Sequence, residues 1–279
     1  LAYHAVSQVG YMVIGIASAS PIGICGGLFH MINHAIYKCC LFLTAGSVEK
    51  QTGTTDLDNL GGLGKHLPLT FFSFLFAALS ISGIPPFNGF FSKWMIYQGL
   101  IESSGQSDPS WILWIIMAMV GSGLTLASFM KITHAVFLGR PSQEIQSKNI
   151  REPHWTMLFS MLTLAVLCLV FGIFFIRIPL LKFLVPVVPV DVANIFNLVL
   201  PLVLIICGII LGLVFYPLLL SREKRIVEPF IGGETQNNNM RLSGTEFYNP
   251  VKEMRFLQTM YRASEKKVLD LYEVIKSFV

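Results

Sequence analysis

An all-α integral membrane bundle of about six spans, with one discontinuous helix, is the fold this sequence predicts. Hydrophobic residues make up 53% of the chain and charged residues only 13%, with a mean hydropathy of +0.64, whereas soluble domains carry roughly a quarter charged residues. The apolar runs are about 20 residues or longer and are divided by short loops of Gly, Pro and charge, as spanning α-helices require. The ~10-residue alternation of an outer-membrane barrel is absent. The net charge of +4 does not point to nucleic acid, because the basic residues gather in loops and in the tail instead of forming an aromatic-interleaved patch.

The spans fall at about residues 1–19, 22–47, 68–102, 111–138, 155–176 and 193–220. The first opens at Leu1 in LAYHAVSQVGYMVIGIASA, with no start methionine and no basic n-region, and reads as the C-terminal part of a longer protein, not as a signal peptide. The third is too long for one ordinary helix. Its middle reads SGIPPFNGF, where Pro85 and Pro86 remove two amide donors and Gly83 and Gly89 loosen the backbone, so the helix breaks there. A break at membrane depth is tolerated only where protein or a water-filled cavity satisfies the freed backbone groups. The bland alternative is a loop between two short spans.

Loop charges set the orientation. Lys50, Lys65, Arg140, Lys148, Arg151, Arg222, Lys224 and Arg225 share one side, and the other holds only Arg177 and Lys182. The basic side is expected to face the cytoplasm of a cell (inner) membrane, with the polar tail of residues 221–279 on that side. From Val251 the tail regains a helical period through Met254, Leu257, Tyr261, Val268, Leu271, Ile275 and Phe278, interleaved with basic residues. That is an amphipathic helix for a lipid surface, a partner subunit or the protein's own loops. The division expected is a channel module over residues 1–140, two additional spans over 141–220, and the tail.

The informative residues are ionisable groups inside apolar spans. A charge near a bilayer centre costs ~2.5–3.5 kcal/mol on insertion scales, so such residues mark an ion or proton pathway by default. His30, His34 and Lys38 stand at i, i+4 and i+8. Each step of four drifts only ~40° around a helix, so they form one stripe about 12 Å long. Imidazole suits proton transfer because it titrates near neutral pH. Thr44 and Ser47 extend the stripe, and Asn33 and Tyr37 flank it. A lone histidine in a bundle is more often a packing residue, and a lysine near a helix end snorkels to the interface, but Lys38 lies some ten residues from either end of its span. Lys93 stands just past the proline break. Lys131 and His134, in the last turns of the 111–138 span, either snorkel or form the mouth of the path.

Other chemistries find no support. Cys25, Cys39, Cys40, Cys168 and Cys207 all lie in apolar runs without metal-site spacing and read as packing residues. Met31, Ile32 and Asn33 fill the gap between His30 and His34, so the HExxH zinc pattern is not met. No metal and no cofactor is expected.

The segments LAYHAVSQVGYM, FHMINHAIYKCCLFLTAGSV, TDLDNLGGLGKHLPLT and ISGIPPFNGFFSKWMIYQ resemble the antiporter-like subunits shared by respiratory complex I, Mrp-type cation/proton antiporters and membrane-bound group 4 hydrogenases. The resemblance covers residues 1 to about 140 and weakens beyond. It implies two inverted five-helix repeats, each with a broken helix, around a polar axis at the membrane centre. The first four spans here would belong to the second repeat, and the first repeat, with its Glu and Lys pair, is missing. His30, His34 and Lys38 match the HxxxHxxxK relay, and Lys93 matches the lysine of GFxSK on the exit side. His4 departs from the pattern, standing where relatives usually have Ser.

The sequence therefore predicts a proton-translocating subunit of a multisubunit redox or antiporter complex, without a redox centre of its own. IPPFNGFFSKWMIYQ resembles the Mrp-type and group 4 hydrogenase subunits more than the largest complex I subunit, and GTEFYNP in the tail tilts towards the hydrogenases. Expected partners are other membrane subunits, the upstream half of the channel and lipid, with H⁺ as the coupled ion and Na⁺ as the alternative. A complex I subunit is the runner-up. A scaffold with a vestigial relay is a further alternative, and a transporter of an organic solute would want a substrate-sized polar site that the sequence does not offer.

Overall fold

Seven α-helices in chain order make up most of the structure, a computed structural model that describes residues 1–103 and 109–188 together with 203, 207, 210 and 211. They are α1 (Ala2–Ala17), α2 (Pro21–Thr52), α3 (Pro68–Ser82), α4 (Asn88–Glu102), α5 (Ser110–Thr133), the short α6 (Gln143–Ser147) and α7 (Trp155–Ile173). No strand occurs among the described residues. The sixth expected span and the tail helix lie outside them, apart from residues 203, 207, 210 and 211, which are helical.

Local chemistry explains the helix limits. The α2 start carries Ser20 as N-cap, accepting from the Gly23 amide, with Pro21 in the first turn, and its end is closed by Gly53 at φ 77°. The result is a 32-residue helix, five residues longer at its C-terminal end than the sequence indicates. Helix α5 covers the expected span and passes into a π-helical turn, His134–Leu138. By length and hydropathy, Ser110–Ser147 and Trp155–Ile173 are each able to cross a bilayer, whereas Pro68–Ser82 is apolar but short.

The α3 N-terminus is capped from a distance. Glu152 accepts hydrogen bonds from the Leu69 amide at 2.6 Å, the Thr70 amide at 3.3 Å and the Thr70 hydroxyl at 2.7 Å. A carboxylate at the positive end of a helix satisfies orphan amides and pins the segment before α7 to the bundle.

Helix α2 is the axis. It packs against α1, α3, α4 and α7, and its glycines allow two of those approaches to be close. A Cβ on Gly99 of α4 would lie 2.3 Å from the Gly23 Cα of α2. The core fills with Tyr37, Leu41, Phe74, Ile81, Phe129 and Cys168 around α2, α3 and α7. Cys40 is buried there while Cys39 is exposed, so the neighbouring thiols face opposite sides.

Candidate functional site

The discontinuity between α3 and α4 begins earlier than the two prolines. Helix α3 ends at Ser82 because Gly83 takes the left-handed conformation, φ 81°, and the Ile84 amide returns to the Leu79 carbonyl. The Pro85–Pro86 peptide is cis, and α4 starts at Asn88. The gap is enclosed by protein. Asn33 of α2 donates through Nδ2 to the Asn88 carbonyl at 3.1 Å, and Asn88 Nδ2 donates to Asn33 Oδ1 at 2.8 Å. The Ser80 hydroxyl donates to Asn88 Oδ1. On the opposite flank, α7 presses so closely that a Cβ on Gly172 would lie 1.9 Å from the Pro86 carbonyl oxygen. A solvated loop would need none of these partners, so the simple-loop alternative loses its ground.

Lys93 occupies the end of the broken helix. It is 3% exposed, and its ammonium donates to the Ile81 carbonyl at 2.9 Å and the Ser82 carbonyl at 3.5 Å. Those carbonyls would be bonded within α3 if the helix ran on; the break frees them, and the negative end of the α3 dipole favours a cation there. The ammonium also sits 4.8 Å from the Tyr11 ring centroid, a cation–π contact. Gly83 allows the approach, with Lys93 Cδ only 3.1 Å from where a Cβ would stand.

His30 joins three helices. Its Nδ1 lies 2.9 Å from Ser92 Oγ of α4, and its Nε2 lies 3.0 Å from Gln8 Oε1 of α1 and 3.3 Å from the Tyr37 hydroxyl. With Gln8 Oε1 as acceptor, Nε2 must donate, and Gln8 Nε2 remains buried without a partner among the described residues. Turning the amide exchanges its donor and acceptor ends, so one side chain can serve either protonation state of the imidazole.

The remaining stripe residues follow down α2. His34 is half-buried, packs edge-on against Tyr37 at 5.6 Å and leaves Nε2 buried without a protein partner among the described residues. Lys38 is 5% exposed, near the middle of α2, donates to the Leu1 carbonyl at 2.5 Å and lies 5.3 Å from the Phe42 ring centroid. It does not snorkel. Ser47 is buried at the far end with its hydroxyl unpartnered among the described residues, and Thr44 turns back to the Leu41 carbonyl.

Lys131 is half-buried on α5 and His134 is exposed where α5 becomes π-helical. His4 bonds through Nε2 to Ser128 Oγ of α5 at 2.8 Å and stacks on Phe129. Sequence reasoning missed Gln8, Tyr11 and Ser92. Their signal was present, because each is a polar side chain inside an apolar run, but none is ionisable near neutral pH and so none stands out. Among the described residues no group of three or more His, Cys, Asp or Glu could hold a metal ion.

The described helices thus bring together an enclosed helix break, a buried lysine on its freed carbonyls and a histidine–lysine stripe. Residues 1–125 match the family described as NADH:quinone oxidoreductase/Mrp antiporter, transmembrane, which bears out the resemblance carried by the motifs. Formate hydrogenlyase subunit 3 of Escherichia coli is 31% identical over 70% of this chain and 34% of its own length. The Na⁺/H⁺ antiporter subunit A1 of Staphylococcus haemolyticus is 37% identical over 62% of this chain and 24% of its own length. Among solved structures, a chain of the membrane-bound sulfane sulfur reductase, an archaeal respiratory membrane complex, is 27% identical, with a TM-score of 0.71 over 100% of this chain and 48% of that one. This chain thus spans about a third or less of the curated relatives and about half of the solved chain.

Proposed function

We propose that this chain carries the second half of a proton-translocating unit in a membrane-embedded, redox-driven or antiporter complex, of the hydrogenase-like or Mrp type. Protons are taken up on the basic, cytoplasmic side past Lys131 and His134. They move along Lys38, His34 and His30 and reach Lys93, with water bridging the gaps at atoms such as His34 Nε2. One observation carries the reading: His30, His34 and Lys38 stand one turn apart along α2, and Lys93 sits on the carbonyls that the helix break exposes. Charge on one buried site disfavours charge on the next, so protons advance in coupled steps.

The same reading has six spans in the cell membrane, a channel module in residues 1–140, a cytoplasmic tail, neighbouring membrane subunits as partners and H⁺ as the coupled ion. Similarity across this whole chain to about half of a respiratory-complex chain supports the redox-linked form over a free-standing antiporter. Lys38→Ala and Lys93→Ala, each introduced into the intact complex and assayed in vesicles, should abolish proton pumping or antiport while the complex still assembles. Normal pumping by both variants would sink the assignment, and a scaffold with a vestigial relay would then be the better account.

A further inference from the structure

We propose that protons leave Lys93 through a hydroxyl chain, Tyr11–Ser122–Tyr97, into a cavity at the end of the bundle where α1 stops and α2 begins. The proposal rests on the pathway reading above and names its outlet. It draws α5 into the path at a point that is separate from Lys131 and His134.

The geometry is a sandwich of three layers. In the first, the Lys93 ammonium lies against the Tyr11 ring at 4.8 Å. In the second, three hydroxyls from three helices meet: Ser122 Oγ of α5 lies 2.9 Å from the Tyr11 hydroxyl of α1 and 2.8 Å from the Tyr97 hydroxyl of α4. Tyr97 is one helical turn beyond Lys93 on the same face of α4, since residues four apart are stacked. In the third, a cavity of about 340 Å³ is lined by Ile14, Leu100, Trp114, Ser18 and Ser103 among others. Ile14 and Leu100 lie about one turn beyond Tyr11 and Tyr97 on their helices, and Trp114 lies about two turns from Ser122 and one turn beyond Ala118, whose carbonyl accepts from Tyr11. The hydroxyl layer therefore lies on the lysine side of that cavity's apolar wall, and the cavity is large enough to hold several waters. A structural role alone requires no such continuity, because each hydroxyl could close on its own helix, as Thr125 does on Gly121.

The proton balance is simple. The Tyr11 hydroxyl turns from the Ala118 carbonyl to Ser122, and the flexible Lys93 stem swings its ammonium from the ring face to the Tyr11 oxygen. Lys93 gives one proton to Tyr11, Tyr11 gives its own to Ser122, Ser122 gives its own to Tyr97, and Tyr97 releases its own to a water that reaches it from the cavity one helical turn away. Each oxygen gains one proton and loses one. Lys93 ends neutral and ready for the next proton from the His30 side.

The test uses the intact complex in vesicles carrying a pH-sensitive dye, with Ser122→Ala, Tyr97→Phe, Ser122→Thr and Lys93→Ala compared at equal assembled amounts. Loss of a positioned proton-transfer group should slow transport about tenfold or more. That loss is expected for Ser122→Ala and for Tyr97→Phe, whereas Ser122→Thr keeps the hydroxyl and should transport near the unsubstituted rate. Should Ser122→Ala not assemble, Tyr97→Phe carries the test. Unchanged transport by either hydroxyl-deletion variant, with Lys93→Ala inactive, overturns the outlet and leaves the pathway reading standing. Active Lys93→Ala removes the pathway reading itself.

Discussion

Gly89→Ala isolates the helix break from the rest of the bundle, because it adds one methyl where two backbones meet. Gly89 lies in the first turn of α4, and a Cβ there would stand 1.9 Å from the Ser80 carbonyl oxygen and 2.8 Å from its carbon. Ordinary contact begins at 3.4 Å, so α3 and α4 must separate by about 1.5 Å. Backbone cannot swing aside as a flexible side chain does. That displacement opens the Ser80–Asn88 hydrogen bond and lengthens the Lys93 contact to Ile81, now 2.9 Å. Overpacking of this kind costs about 1–3 kcal/mol, and buried hydrogen bonds left open add about 1–3 kcal/mol each. Gly46→Ala on α2 is the matched control: nothing stands within 4 Å of its Cβ, and helix propensity alone should make it neutral or stabilising by up to about 1 kcal/mol. Reversible unfolding of both variants in mixed micelles, alongside proton transport in vesicles, measures the difference. The reasoning is wrong if Gly89→Ala unfolds and transports like the unsubstituted protein.

Two other substitutions probe the supports of the site. Asn33→Leu removes the donor to the Asn88 carbonyl and the acceptor for its side chain, and should destabilise by about 1–3 kcal/mol; a change under about 0.5 kcal/mol by the same unfolding assay would mean that the break satisfies itself. Glu152→Ala uncaps α3, and because the carboxylate is partly solvated the expected loss is about 1–2 kcal/mol, with faster amide exchange at Leu69 and Thr70 as its local signature. Unaltered exchange there would argue that the cap contributes nothing.

Much of the architecture was legible because two signals are local. The i, i+4, i+8 spacing of His30, His34 and Lys38 fixes their common face by helix geometry alone, and Gly83, Pro85 and Pro86 clustered between Ser82 and Asn88 interrupt a helix there. The partners of these residues were not legible, since Gln8, Ser92 and Glu152 reach their targets across tens of residues and declare themselves only when helices pack. The start of the break shows the same limit at short range. Two prolines mark the region, yet the helix stops three residues ahead of Pro86, at Gly83, because a left-handed glycine closes it first. Lys38 illustrates the reverse case, in which distance from the helix ends was sufficient to predict burial.

The contact between Gly172 and Pro86 reaches into biogenesis. The two residues are separated by 86 positions (172 − 86), and at roughly 5–20 residues per second of synthesis the interval between them is about 4–17 s. Throughout that time α3 and α4 are made, but the flank of the break that α7 closes stays bare, with its polar backbone facing whatever surrounds the nascent helices. The site is thus finished late, by a helix that lies beyond residues 1–125, the part that matches the family model.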